Sequence, residues 1–278
     1  MNKNITVAAC LLATMVVACR GITTVSAASN IKFLTSSGTI DTLGYLHIFG
    51  EVQNIGTQTV KYVEIVGTFY NAGHVVIESE YTFTLLDQLE PGQKSPFDLF
   101  IMNAITSAEV AEYRLTVSGD ATIAKPHGLQ ILSHSGSVDE LGYLEIVGEI
   151  QNLRSGSASY VEVIGTFYDQ NDTVIGCDYT FTDPSDLAGG ETAPFKITFM
   201  YTPLSSLISS YALTAQSNEY SIVPEFSVPF FLIVPAAATL VFAVYRQKTR
   251  KLSYCNYELF VSLHIQIIKF EGKKSWQP

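Results

Sequence analysis

Residues 31–118 and 129–216 align on one another at a shift of 98 without a gap, with about 35 identities in 88 positions. Self-similarity over that length means that one folding unit is written twice, so any assignment of elements has to hold for both copies. Phe97 falls on Phe195, Tyr113 on Tyr211, and Leu43-Gly44-Tyr45-Leu46 on Leu141-Gly142-Tyr143-Leu144. With 47% hydrophobic residues each copy has the material for its own core, and disorder is excluded.

Within a copy the apolar residues recur with period two, the pattern of half-buried strands. Over 46–52, Leu46, Ile48, Gly50 and Val52 share one face and His47, Phe49 and Glu51 the other; the second copy sets Leu144, Ile146, Gly148 and Ile150 against Glu145, Val147 and Glu149. Longer strands are expected over 60–70 and 158–168, then turns at Asn71-Ala72-Gly73 and Asp169-Gln170-Asn171-Asp172, then returning strands over 75–84 and 173–182. Pro91-Gly92 and Gly189-Gly190 mark the next reversal, ahead of strands at 96–101 and 194–199 and closing strands at 113–117 and 211–215. About seven short strands in roughly ninety residues predict an all-β chain of two tandem immunoglobulin-like β-sandwich domains. Repeat 1 is expected over 28–120, a linker containing Pro126 over 121–128, and repeat 2 over 129–218, each able to fold alone.

The strings Gly50-Glu51-Val52-Gln53-Asn54 and Tyr62-Val63-Glu64-Ile65-Val66-Gly67-Thr68-Phe69-Tyr70-Asn71, with their counterparts ending in Gly165-Thr166-Phe167-Tyr168-Asp169, resemble the FxLYD family of small extracytoplasmic β-sandwich domains. The resemblance covers about ninety residues per copy and implies no catalytic residues. The Cys…Trp…Cys pattern of antibody domains is missing.

The ends of the chain read differently. Residues 1–27 match a secretory signal peptide, with Lys3 in a short n-region, an apolar stretch over 5–18 and Val25-Ser26-Ala27 at the cleavage position. A competing reading takes Val16-Val17-Ala18-Cys19 as a lipobox with a lipid on Cys19. Residues 226–245 carry no charge over twenty positions and are followed by Arg246, Lys248, Arg250 and Lys251. Twenty helical residues at ~1.5 Å rise cover the ~30 Å hydrocarbon layer, and the basic cluster places 246–278 in the cytoplasm. A single-pass membrane protein with 28–223 outside is the expectation. The tripeptide Pro224-Glu225-Phe226 at the end of a 219–225 stem, directly before the span, resembles the PEF-type C-terminal sorting signal of archaeal surface proteins. That resemblance implies processing by a membrane-embedded archaeosortase, although the 27 residues beyond Lys251 depart from the family's usual short end.

The net charge of −10, and −16 over 28–223 alone, excludes nucleic acid as a partner, because duplex binding needs a positive surface. The two copies share no histidine: His47 meets Glu145, His74 meets Asp172 and His134 meets Ser36. Neither GxSxG nor HExxH occurs, and no catalytic, metal or cofactor residues are assigned. Cys177, opposite Ser79, reads as a small packed side chain. The repeated carboxylates Asp41/Asp139, Glu51/Glu149 and Glu64/Glu162 suit either calcium or a solvated face, and the solvated face is the simpler reading. Tyr45, Tyr62, Tyr70 and Tyr81 recur as Tyr143, Tyr160, Tyr168 and Tyr179; they are candidate contact aromatics if exposed and core residues if not. Asn171-Asp172-Thr173 is a glycosylation sequon in an expected turn. Together these features predict a membrane-anchored surface protein whose modules bind a cell-envelope protein or glycan or serve as envelope structure. The alternative is an accessory extracytoplasmic subunit of a membrane enzyme or transporter.

Overall fold

The computed structural model describes residues 20–23 and 30–223. Those residues are nearly all strand and turn, with two short helices, so the fold is all-β. The first copy runs β2 (Ile31–Ile40), β3 (Leu46–Asn54), β4 (Thr59–Tyr70), β5 (Val76–Phe83), β6 (Gln88–Leu89), β7 (Lys94–Ile101), α1 (Ala104–Glu109) and β8 (Glu112–Thr122). Ahead of it, β1 (Arg20–Thr23), inside the expected signal peptide, pairs in parallel with β8. The second copy repeats the order as β9 (His127–Val138), β10 (Leu144–Asn152), β11 (Glu162–Tyr168), β12 (Val174–Phe181), β13 (Thr192–Phe199), α2 (Thr202–Ser205) and β14 (Ser210–Gln216), and adds β15 (Ser221–Ile222).

In the first copy β2-β3-β7 form one sheet and β8-β4-β5 the other. Their inner faces meet in one core, with Ile48, Val52 and Leu99 from the first against Ile65, Phe69 and Leu115 from the second. The second copy has the same two layers, but β15 pairs antiparallel with β14 and parallel with β9, joining them into one seven-stranded sheet. One cross-strand detail recurs within the sheets of both copies. Gly50 lies opposite Phe97, and Gly148 opposite Phe195, with the phenyl ring laid over the glycine. A Cβ would sit 2.4 Å from Phe97 Cζ at Gly50 and 2.5 Å from Phe195 Cζ at Gly148, so only glycine admits the ring.

The hairpin turns are closed by side chains. Asn71 Oδ1 accepts from the N–H groups of Gly73 and Val75, and Asp169 Oδ1 accepts from those of Asn171 and Thr173. This satisfies backbone donors that the tight turn would otherwise leave without partners. α1, which strand periodicity does not announce, is capped by Asn103, whose side chain accepts from Ile105 and Thr106 N–H.

The strand expected over 158–168 starts only at Glu162, with Ala158 left as an isolated bridge to Leu187, and two expected domain boundaries move. β8 reaches Thr122 and β9 starts at His127, so four residues connect the copies rather than the eight expected over 121–128. The stem expected over 219–225 is shortened as well, because Ser221–Ile222 is β15 and Val223 N–H donates to Leu129 O. The backbone groups there are used by the sheet, which holds the segment to the body of the second copy.

The rest of the expected signal peptide with Cys19, the motif Pro224, Glu225 and Phe226, the expected span 226–245 and the expected tail 246–278 lie outside the described residues. Among the described residues no helix is long and apolar enough to cross a membrane.

Candidate functional site

The feature that most distinguishes the molecule from two beads on a string is the junction between its copies. On β3 the inner residues are buried as the alternation requires, but so are the outer ones, His47, Phe49 and Glu51. On β10 the alternation holds: Val147, the counterpart of Phe49, is 44% exposed, whereas Phe49 is 0% exposed. The cover on β3 comes from the second copy, whose β12-β11-β14 sheet lays its outer face over the outer face of β2-β3-β7. Phe49 packs with Val174 and Cys177, flanked by Leu85, Tyr168, Tyr201 and Leu204, and Ile164 of β11 joins the first copy's core. Burying a phenylalanine side chain contributes roughly 1.5–3 kcal/mol.

Polar groups set the register of this contact. Tyr168 O–H donates to Glu51 Oε1 at 2.8 Å, Ser37 O–H donates to Val174 O at 2.6 Å, and Val174 N–H donates to Thr35 Oγ1 at 3.1 Å. Gln216 clasps the loop after β5: its amide donates to Leu85 O and to Glu162 Oε2, and its Oε1 accepts from Asp87 N–H. In the connector Lys125 reaches both Asp87 and Ser217 O, and on β15 Ser221 O–H donates to Glu90. Burial pushes the Glu162 carboxyl up from its ordinary value, against the Gln216 hydrogen bond and with the Asp87 charge adding to the rise.

At one end of the junction His47 is stacked between Phe49 and Phe100, with ring centroids 5.5 and 5.4 Å away. Its Nδ1 is 3.0 Å from the Asp98 carboxylate oxygens and its Nε2 is 3.2 Å from the Tyr201 hydroxyl. With Nδ1–H donating to Asp98, Nε2 accepts from Tyr201, so one imidazole ties β3, β7 and the start of α2 together. Cys177 is buried beside this group. Burial, with the Asp98 and Asp178 charges adding, pushes its thiol well up, so the sulfur is held as the neutral, weakly nucleophilic form. The arrangement therefore acts as a latch between the copies. The mismatch of His47 with Glu145 speaks against shared catalysis, and the sequence signal for the junction is that Phe49/Val147, Leu85/Asp183 and Tyr201/Asn103 also change polarity or size between copies.

The candidate contact tyrosines divide. Tyr62 and Tyr81 are each 64% exposed, while Tyr45 and Tyr70 are half-buried. Tyr62, at the irregularity in β4, and Tyr160, just before β11, occupy matching positions of the repeat with φ of 50° and 54°, a left-handed backbone uncommon for a bulky residue. Tyr81 packs edge to face with Phe83 at 6.1 Å, and Tyr179 with Phe181 at 6.0 Å, and all four rings point outward. The segment 81–84, Tyr-Thr-Phe-Thr, is identical at 179–182, so the exposed aromatic pair is a repeated feature of both copies. Asn171 is exposed at its turn.

The repeated carboxylates serve three different ends. Asp41 Oδ1 and Asp139 Oδ1 each accept two backbone N–H bonds in matching turns. Glu51 is buried at the junction beside Lys94, with Glu149 exposed; Glu64 is half-buried in the first copy, whereas Glu162 is bonded to Gln216. Among the described residues no group of three His, Cys, Asp or Glu side chains is placed to hold a metal ion.

No protein-family model and no curated protein matches the chain. Among solved structures it is similar to red sea bream transglutaminase at 7% identity, covering 69% of this chain and 30% of that one, with a TM-score of 0.22. It is likewise similar to an exo-chitosanase of Amycolatopsis orientalis at 9% identity, covering 69% and 26%, TM-score 0.22. A β-glucuronidase of Bacteroides uniformis is 15% identical over 64% of this chain and 25% of that one, TM-score 0.24. The chain thus spans about a third or less of the length of these proteins, and at TM-scores this low the likenesses carry no argument about activity.

Proposed function

We propose that the chain is a membrane-anchored surface protein that holds two immunoglobulin-like β-sandwich modules of FxLYD type outside the cell for non-catalytic binding of an envelope glycan or protein. The observation that carries this reading is the outward aromatic pair Tyr81/Phe83, repeated as Tyr179/Phe181 and accompanied by Tyr62 and Tyr160. Clustered exposed rings cost solubility, and their presence at matching positions of two otherwise acidic modules fits contact surfaces, since tyrosine joins apolar area to a hydroxyl. The strong negative charge of 28–223 suppresses indiscriminate adhesion to anionic lipid.

The anchor follows from the uncharged segment 226–245 and the basic residues after it, with Pro224-Glu225-Phe226 as the sequence that an archaeosortase-like enzyme would process. Protease added to intact cells should digest 28–223 and spare a tag placed after Lys251; the reverse pattern would show the orientation to be wrong. Mass spectrometry of the mature protein decides processing, since retention of Trp276 excludes loss of the tail. For the binding itself, full-length protein should be retained on envelope extract and a Tyr62→Ala/Tyr81→Ala/Phe83→Ala variant should be retained several-fold less. Equal retention of both would remove the aromatic surface from the function.

A further inference from the structure

The junction is heterologous: it joins the outer β2-β3-β7 face of one copy to the outer β12-β11-β14 face of the other. Because the copies are repeats, each keeps the half of the pair that the chain does not use. The first copy leaves the outer face of β5-β4-β8 open, and the second leaves the outer face of β9-β10-β13 open. We propose that these two open faces pair between molecules, so that a second copy of this chain docks head to tail by repeating the contact already made inside each chain.

Three observations identify the occupant. The polar groups that set the internal register have counterparts on the open faces: Tyr168 and Glu51 recur as Tyr70 and Glu149, and Thr35 and Ser37 recur as Ser133 and Ser135. Val174, whose carbonyl accepts from Ser37 and whose N–H donates to Thr35, recurs as Val76, which is 55% exposed where Val174 is fully buried. Val147, which replaces Phe49 at the centre of the contact, is also exposed and apolar. An exposed valine on each face, at the positions buried in the internal version, is what an unfilled copy of that interface presents.

The external contact is weaker than the internal one by design of its side chains. Phe49 becomes Val147, Leu85 becomes Asp183 and Tyr201 becomes Asn103, so less apolar area is buried. The internal pairing has the further advantage of a four-residue connector, which gives its partner a high effective concentration. Association between chains is therefore expected where molecules are crowded on a surface rather than in dilute solution. A heterologous contact of this kind builds an open row or a ring, not a two-fold dimer. The inference stands on the junction geometry and holds whether or not the chain is displayed on a membrane.

The test is disulfide trapping in the full chain in membranes, with its native cysteines replaced by serine. Val76→Cys combined with Ser135→Cys should give, on oxidation, a ladder of dimers and higher species, each rung needing both substitutions. Ser37→Cys with Val174→Cys is the internal control and should close within one chain, confirming that the junction is formed. A closed control with no ladder would overturn the proposal, and so would dimers formed as well by Val76→Cys alone, which would mean a two-fold contact. A control that stays open would overturn the junction on which the proposal is built. Adding Tyr70→Phe should reduce the ladder about tenfold through loss of the bond to Glu149, without affecting closure of the control pair. An unchanged ladder would overturn the assigned register.

Discussion

β3 and β10 occupy the same place in two copies of one fold, yet β3 is buried on both faces and β10 on one. The inner residues hardly differ: Leu46, Ile48 and Gly50 match Leu144, Ile146 and Gly148. The outer residues do, with His47 and Phe49 against Glu145 and Val147. The fold of a copy is thus specified by one set of positions and its place in the pair by another. A strand's alternating pattern reports the first and is silent on the second, because an outer position is apolar only when something covers it.

The largest expected effect lies at the centre of this difference. Phe49→Ala should cost about 3–4 kcal/mol, seen as a lower denaturation midpoint by circular dichroism, whereas Val147→Ala should stay within about 0.5 kcal/mol. Equal effects at the two sites would mean that the junction contributes nothing to stability. Next is Gly176, where a Cβ would lie 2.4 Å from Phe199 Cζ. Gly176→Ala should destabilise by about 1–3 kcal/mol, while Glu78→Ala at the matching position of β5 should be near neutral by the same measurement.

Tyr168→Phe should cost about 1–2 kcal/mol because it removes a hydroxyl donating to the buried Glu51, and Tyr70→Phe should leave the stability of a single chain unchanged. Cys177 offers a readout that is independent of unfolding. In the native chain its buried thiol should resist maleimide, and Phe49→Ala should speed labelling several-fold, with the modified peptide identified by mass spectrometry. Labelling as fast as that of an exposed thiol in the unaltered chain would contradict the packing.

The smallest effect is one of pH. Glu162 and Asp178 both have carboxyls raised first by burial, opposed by hydrogen bonds from Gln216 and Tyr179 N–H respectively, with nearby Asp charges adding. A carboxyl whose folded value lies above its unfolded one penalises the folded state fully above the folded pKa, and the penalty is gone below the unfolded pKa. Stability contributed by these two groups should therefore rise on mild acidification from neutral pH. Glu162→Gln, which keeps an acceptor for Gln216, should flatten part of that slope; an unchanged profile would take Glu162 out of the account.

Most of the strand plan was legible because period-two alternation and turn residues are local. The 98-residue repeat made it firmer, since Gly50 and Gly148, or Asn71 and Asp169, had to play the same part twice. The long opening strands β2 and β9 were not placed, because their Ser- and Gly-rich halves carry little apolar alternation; the other elements that escaped were non-local or short. β15 is two residues placed by pairing with β14 and β9, and α1 is six residues capped by Asn103, too brief for helical periodicity. The exposed aromatics were legible only as alternatives, because tyrosine suits a sheet margin as well as a surface: Tyr81 stands out while Tyr70 is half-buried. The junction was present in the sequence as disagreement between copies, at Leu85/Asp183 and Tyr201/Asn103, where a search for shared chemistry does not look.

The left-handed tyrosines allow fold and surface to be tested separately. At φ near 50° a glycine is more comfortable than a tyrosine, by an amount on the order of 1 kcal/mol, and yet both copies carry the ring at this position. Tyr62→Gly and Tyr160→Gly therefore relieve the backbone while deleting two outward rings. Most surface-clearing substitutions confuse lost contact with lost integrity. Here a chain that binds less would be no less well folded, which makes these two sites the natural place to ask what the outer surface is for.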